Sequence, residues 1–263
     1  MSLGLAIFLG ILQGLTEFFP VSSSGHLALF GSWFGVHSED MTFEILVHLA
    51  TLAAIMVYFR KDWVQLIKIF LGRERGDFPP HILPYLVFSM VPAGLVGIFL
   101  KDHIQWIKNE TFWVGACLIV TGVTLLFGLR VKREGVPMEK LDWLLVVAMG
   151  LAQACAVLPG ISRSGSTIMC ALFLGLHKQA AARFSFLMAV PVIGGAGVLT
   201  LKDLLEQEGT LSTDMLAAYG AGFMAALFSG FFALAFMMRL LEGRRFFYFG
   251  FYCIPLGILA MTL

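Results

Sequence analysis

Six apolar stretches near bilayer-spanning length, at about 41–59, 83–100, 111–129, 182–200, 214–238 and 246–263, dominate this 263-residue chain. A helix of roughly 17–25 apolar residues is what crosses a hydrocarbon core. Lipid offers no partner to a backbone N–H or C=O, so such a segment must satisfy its backbone internally. Hydrophobic residues make up 59% of the chain and charged residues only 13%, about half the charge fraction of a soluble domain. The pattern predicts an all-α polytopic membrane protein, a single membrane domain over 1–263. A formal net charge of +1 leaves no basic stripe once the loops are assigned, so no nucleic-acid partner is expected. The first residues lack the basic n-region of a cleaved signal, and Met1 onward reads as mature protein. Cys117, Cys155, Cys170 and Cys253 lie scattered in apolar sequence without C-x-x-C spacing; they read as small core residues rather than disulfide or zinc partners.

Two further apolar regions, 3–36 and 143–177, are interrupted in the middle by Pro, Gly and Ser. Broken backbone at membrane depth is tolerated only where it is packed in protein or lines a wet cavity. Each limb is short, which favours a re-entrant helical hairpin over two full spans. The two regions also match at a fixed offset of 140 residues. Gly10, Gln13, Ser22, Ser24, Gly25, Gly35 and His37 correspond to Gly150, Gln153, Ser162, Ser164, Gly165, Gly175 and His177, and after one inserted residue Phe43 and Leu46 face Phe184 and Leu187. This points to an internal duplication: a first repeat over 1–140 and a second over 141–263, each a hairpin followed by three spans. Three is odd, so the second repeat is inverted.

Charge supports that parity. Arg60, Lys61, Lys68, Arg73, Arg75, Arg130, Lys132, Arg133, Lys140, Lys178, Arg183, Arg239, Arg244 and Arg245 then fall on one face. The opposite loops hold only Lys101, Lys108 and Lys202, against Glu39, Asp40, Asp102, Glu110, Asp203, Glu206, Glu208 and Asp214. The positive-inside rule makes the first face cytoplasmic and puts both termini outside. Reading each broken region as two full spans preserves the same parity.

Three ionisable residues remain inside apolar sequence: Glu17, Glu44 and Arg163. A charge at mid-membrane costs several kcal/mol, about 2.5–3.5 on insertion scales, so each needs a reason. Arg163 stands in Pro159-Gly-Ile-Ser-Arg-Ser-Gly-Ser-Thr167. Its fork of donors suits phosphate, Ser162, Ser164, Ser166 and Thr167 add hydroxyls, and Gly165 lets the backbone approach as a helix N-terminus opens. The bland alternative is an Arg paired with Glu17 or Glu44 for packing alone. Gln13 and Glu17 share a helical face ahead of the other loop, Ser22-Ser23-Ser24-Gly25-His26. Ser23 and His26 are three apart, close enough for the imidazole to take the hydroxyl proton. His37 and His177 read as interfacial, and Glu44 with His48 as a supporting or structural pair on one face. In register, Glu17 faces Val157, Ser23 faces Arg163 and His26 faces Ser166. The acid, base and serine sit on one loop and the cation on the other, so the loops together compose one asymmetric phosphate site.

These residues resemble those of the bacterial undecaprenyl pyrophosphate phosphatases, the bacitracin-resistance family. Its E/Q-x-x-x-E motif appears as Gln13-Gly-Leu-Thr-Glu17, running into Ser22-Ser-Ser-Gly-His26, and its P-G-x-S-R-S-x-x-T motif as Pro159–Thr167. The likeness extends over essentially the whole chain. It implies removal of the terminal phosphate from undecaprenyl pyrophosphate, recycling the cell-wall lipid carrier and conferring bacitracin resistance. It further implies an inverted-repeat fold with six spans and two re-entrant hairpins in the bacterial inner membrane, a site open to the periplasmic or outer face, membrane lipid contacts and a homodimer. Divalent cations accompany the family's activity. No ligand cluster in the sequence fixes a metal, so Mg²⁺ or Ca²⁺ carried by the pyrophosphate is the expectation. The corresponding mechanism has Ser23 attack the terminal phosphorus, His26 accept the proton with Glu17 orienting it, and Arg163, Ser162, Ser164 and Thr167 hold the oxygens. Direct water attack and a phosphohistidine on His26 are the other routes. The main rival is an inverted-repeat transporter or flippase of a polyprenyl phosphate. The other lipid-phosphatase superfamily with S-G-H and S-R elements does not fit, because Met169 and Phe173 stand where its His and Asp belong.

Overall fold

The computed structural model describes residues 1–34, 41–73, 76–131, 135–206 and 213–262, apart from the side chains of 41, 199–206 and 213–214. Of the residues weighed above, Gly35, His37, Glu39, Asp40, Arg75, Lys132, Arg133 and Glu208 lie outside the described ones. The chain is helical almost throughout. The first broken region forms α1 (Leu3–Phe18) and α2 (Ser23–Trp33); the second forms α8 (Trp143–Cys155) and α9 (Arg163–Phe173). Between them run α3 (Met41–Tyr58), α4 (Arg60–Phe70), α5 (Ile82–Phe99), α6 (Lys101–Asn109) and α7 (Thr111–Phe127), and after them α10 (Lys178–Glu206), α11 (Thr213–Glu242) and α12 (Gly250–Met261).

Among the described residues, four helical stretches are long and apolar enough to cross a membrane unaided: Ile82–Phe99, Thr111–Arg130, Lys178–Val198 and Met215–Glu242. A fifth is reached if α3 and α4, which meet at 77°, count as one broken span. At the expected last span, 246–263, a 3-10 stretch, Arg245–Phe249, runs directly into the 12-residue α12, and together they form one apolar helix, Arg245–Met261, just under span length. At 1.5 Å per residue α12 is too short to cross alone. Large apolar side chains such as Phe99, Phe232, Leu144 and Val198 are each more than two-thirds exposed, a surface that lipid can cover and water cannot do so cheaply. The chain is a multi-pass, all-helical membrane protein.

Sequence explains where the short helices stop. Pro20 has no N–H to continue α1, and the chain folds tightly there, with Val21 N–H donating to the Phe19 carbonyl at 2.8 Å. Pro159 and Gly160 break the second region in the same way. Ser22 and Ser162 then cap the return helices: each side-chain oxygen accepts the N–H three residues on, Gly25 at 3.3 Å and Gly165 at 3.0 Å.

Long helices enclose these hairpins. α1 packs along α11 and α8 along α5, while α3 and α10 lie against each other. α7 and α12 meet glycine to glycine. A Cβ on Gly115 would stand 2.5 Å from the Gly257 carbonyl, and one on Gly250 would stand 2.5 Å from that of Gly122. Small residues at such crossings let backbones meet in lipid, where no hydrophobic drive does so.

One end of the bundle gathers the basic segments. Arg183 at the start of α10 binds Asp62 of α4 at 2.5 Å and also pairs with Asp77, Lys178 donates to the Gly243 carbonyl at 2.7 Å, and Val136 pairs with Gly175 and His177 through the backbone. At the other end Lys108 of α6 pairs with Glu44 of α3.

Candidate active site

The tips of the two hairpins meet inside the bundle. Ser22 Oγ, already accepting from Gly25, also accepts the N–H of Gly160 from the opposite tip at 3.1 Å. The approach is so close that a Cβ on Gly25 would lie 2.9 Å from Gly160 Cα, and one on Gly165 would lie 3.3 Å from Pro20 Cβ. Pro20 and Gly160, like Gly25 and Gly165, stand 140 residues apart, so the two contacts are equivalents. Gly160 takes φ +97°, open to glycine alone in practice. Ser22 also sits at positive φ, 69°, a strained backbone of order 1–3 kcal/mol that its two accepted hydrogen bonds hold in place. Thr121 on α7 anchors the second tip, donating to the Gly160 carbonyl at 2.9 Å and accepting from Ser162 N–H at 3.0 Å. The broken backbone is thus paired rather than left to lipid.

Around this junction lies a cavity of about 190 Å³, lined on its polar side by Glu17, Ser22, Ser23, Ser24, His48, Gln153, Ser162 and Arg163. Glu17 is its hub. One carboxylate oxygen receives Arg163 Nη2 at 2.5 Å; the other accepts the Ser23 hydroxyl at 2.6 Å and Gln13 Nε2 at 3.0 Å. Glu17 is 8% exposed and Ser23 9%, so these are charge-assisted bonds in a nearly dry site. Arg163 Nη1 is buried with no hydrogen-bond partner. A guanidinium donor left unsatisfied at a cavity wall is costly and points to an anion. The N-termini of α2 and α9 converge here, adding their partial positive charge. As a metal centre the donors do not fit: among the described residues Glu17 is the one carboxylate on the cavity, and both its oxygens are engaged. Among the described residues no group of three or more His, Cys, Asp or Glu gathers.

A family model described as "Bacitracin resistance protein BacA" matches residues 6–259. This chain belongs to the BacA family. It is 40% identical to the undecaprenyl-diphosphatase of Carboxydothermus hydrogenoformans, over 98% of this chain and 96% of that protein. It is 38% identical to the undecaprenyl-diphosphatase of Methanobrevibacter smithii, over 97% and 95%, and 37% identical to undecaprenyl-diphosphatase 3 of Bacillus anthracis, over 97% and 95%.

In this BacA-family chain the expected site residues separate into two groups. Glu17, Ser22, Ser23, Ser24, Ser162 and Arg163 line the cavity; Gln13, Gly25, His26, Ser164, Gly165, Ser166 and Thr167 stand behind it. Thr167 Oγ1 donates to the Arg163 carbonyl at 2.8 Å and lies 2.6 Å from Ser185 Oγ, bracing the loop. Ser164 Oγ lies 3.3 Å from Ser162 Oγ and 3.5 Å from the Phe19 carbonyl. Ser166 is half-buried in the first turn of α9.

Ser23 and His26, three residues apart, do not hydrogen-bond to each other. His26 Nδ1 lies 2.8 Å from the Ser22 carbonyl and Nε2 lies 2.8 Å from the Tyr252 hydroxyl, with the two rings stacked. Both nitrogens are committed, and the Ser23 proton points at Glu17. His48, read as supporting, stands on the cavity wall. Gln153 was visible only as the counterpart of Gln13. Thr121 and Tyr252 carried no sequence signal, being ordinary polar residues in apolar helices.

Proposed function

We propose that this chain hydrolyses undecaprenyl diphosphate to undecaprenyl phosphate and inorganic phosphate, the substrate being the one named by its relatives. The observation that carries the reading is the Ser23–Glu17–Arg163 constellation: a hydroxyl on a carboxylate, and a guanidinium with a buried donor to spare. A carrier needs an anion site but no activated hydroxyl. Ser23 attacks the terminal phosphorus in line as Glu17 accepts its proton. Arg163, the hydroxyls of Ser22, Ser24 and Ser162, and the helix N-termini hold the phosphoryl oxygens. Lipid phosphate leaves, and water then cleaves the phosphoserine. The cavity suits the diphosphate head and leaves the prenyl chain in the bilayer. A divalent cation arriving with the pyrophosphate belongs to the substrate in this scheme, and no step is routed through it.

The finer architecture is part of the proposal. The equivalent hairpins, their matching serine caps and the parallel pairing of α1 with α11 and α8 with α5 support an inverted repeat, 1–140 and 141–263, with both hairpins re-entrant. The gathering of basic segments at one end supports a cytoplasmic face there, and a site open to the outer or periplasmic side of an inner membrane. The homodimer implied by the family resemblance is read from the mass of the purified protein in detergent.

Phosphate release from a C55 diphosphate by the purified protein tests the activity. Wild type is expected to turn over, Ser23→Ala and Arg163→Ala to fall by at least 10³-fold, and an acid-stable adduct to be trapped on Ser23. Absence of release by wild type, with binding retained, would favour the transporter or flippase. Turnover by Ser23→Ala would move the attack to water.

A further inference from the structure

We infer that His48 is the proton relay of this site: it takes from Glu17 the proton released by Ser23 and so restores the carboxylate for the water step. The inference rests on the phosphatase reading above. α3 sets His48 Nδ1 2.7 Å from the Glu44 carbonyl one turn earlier. A carbonyl only accepts, so Nδ1 carries the hydrogen and Nε2 is the nitrogen that gains or loses a proton. Nε2 faces Glu17 Oε2 at 3.8 Å, the same oxygen that accepts the Ser23 hydroxyl at 2.6 Å. That gap is too long for a direct hydrogen bond and is closed by a shift of under about 1 Å. The His48 side chain is 24% exposed against 7% for Glu17, so the relay is wetter than the base it serves.

The charged groups around His48 form two ion pairs. From α1 comes Glu17, held by Arg163 of α9; on α3 itself Glu44 is held by Lys108 of α6. α10 turns Val192 and Ile193 to the cavity and has no titratable residue between Arg183 and Lys202; α11 has none between Tyr219 and Arg239. His48 therefore lies between two carboxylates, each already paired with one cation.

In the first half-reaction the Ser23 proton moves to Glu17, its oxygen bonds to the terminal phosphorus, and the bridging P–O bond breaks with its electron pair leaving on the lipid phosphate. A protonated Glu17 can accept nothing more, and Arg163 beside it favours the carboxylate. The proton passes to His48 Nε2. In the second half a water proton moves to Glu17 as the water oxygen bonds to phosphorus and the Ser23 O–P bond breaks. Glu17 returns that proton to Ser23, and His48 releases its own to solvent. One water is consumed and one proton leaves.

The test compares wild type, His48→Ala and His48→Gln in steady state across pH 5–9, with acid quench for phosphoserine. The expected result is a fall in kcat of about 10–100-fold, at the low end of general acid–base effects because His48 acts through Glu17, with KM changed less than about 3-fold. Phosphoserine accumulates, the shape of the kcat–pH profile changes, and added imidazole partly restores His48→Ala. Thermal shift reports folding; if the alanine variant unfolds, His48→Gln carries the comparison. Wild-type kcat and pH profile in a folded variant overturn the relay, as does a loss with neither adduct nor imidazole rescue. A wild type that releases no phosphate instead overturns the phosphatase reading.

Discussion

Gly25→Ala should damage catalysis without touching a reacting group. A Cβ there would stand 2.9 Å from Gly160 Cα, 3.1 Å from Gly160 N and 3.3 Å from Ser22 Oγ. Carbon atoms pack best at about 3.5–4.0 Å, so the overlap with opposing backbone is at least about 0.6 Å. Gly160 has no room to retreat, since the direction of its own missing Cβ meets the Val114 carbonyl at 2.4 Å and Cys117 Cβ at 2.6 Å. Thr121 also pins its carbonyl at 2.9 Å. The strain must therefore part the tips and carry Ser23 and Glu17 away from Arg163. Overpacking of this kind costs about 1–3 kcal/mol, and a misplacement of about 1 Å costs about 10²-fold in rate. A displacement of roughly half that size sets an expected kcat loss of about 10–100-fold. Phosphate release in detergent micelles gives kcat and KM, and thermal shift separates a folded, misaligned variant from an unfolded one. Gly94→Ala on α5 is the control, because nothing lies within 4 Å of its Cβ direction and alanine is the better helix former. A Gly25→Ala protein with kcat within 3-fold of wild type would refute the idea that contact between the tips sets the site.

Other substitutions probe separate links of the same chain. Arg163→Lys keeps a charge for Glu17 but loses the fork and its spare donor, so kcat/KM should drop at least about 10²-fold; near-wild-type activity would mean that the phosphate does not use Nη1. Thr121→Val preserves shape yet strands the Gly160 carbonyl and Ser162 N–H, at about 1–3 kcal/mol for each buried group; Tm and activity should fall together, and a loss of neither would show that the tip is anchored elsewhere. Arg183 hydrogen-bonds Asp77 and holds its carboxyl below the ordinary aspartate value. Because the folded pKa is depressed, this contribution is fully present above the unfolded value, about 3.9, and is lost as pH falls through the folded one. The stability gap between wild type and Asp77→Asn should therefore shrink on acidification, and a gap constant with pH would contradict the pairing.

How much of this could be read in the residues depends on the distance over which each relation acts. Helix, break and cap are local, so Pro20 with Ser22 and Pro159 with Ser162 announce both hairpins before any packing is known. The 140-residue correspondence goes further, since it pairs Gln153 with Gln13 without any contact between them. Partners across the fold leave no such trace: nothing in the spacing of Thr121 or Tyr252 distinguishes them from other polar residues in apolar helices. Span lengths are equally non-local. The apolar run at 246–263 looks continuous, yet its first residues tighten into a 3-10 stretch beside α7 and shorten the helix that follows.

The placement of His26 shows the same limit at closer range. Three residues separate Ser23 from His26, and helical periodicity puts them on neighbouring positions. But side chains on a helix lean toward its N-terminus, which brings the imidazole onto the Ser22 carbonyl, one turn back, rather than beside the Ser23 hydroxyl. Glu17 lies six residues before Ser23 across a sharp turn, where no periodicity predicts proximity, and there the two side chains meet at 2.6 Å. The proposed base thus belongs to one limb of the hairpin and the proposed nucleophile to the other, with the cation on the opposite tip. A site divided this way forms only when the tips are seated, so Gly25 and Gly160 govern the chemistry as directly as the residues that perform it.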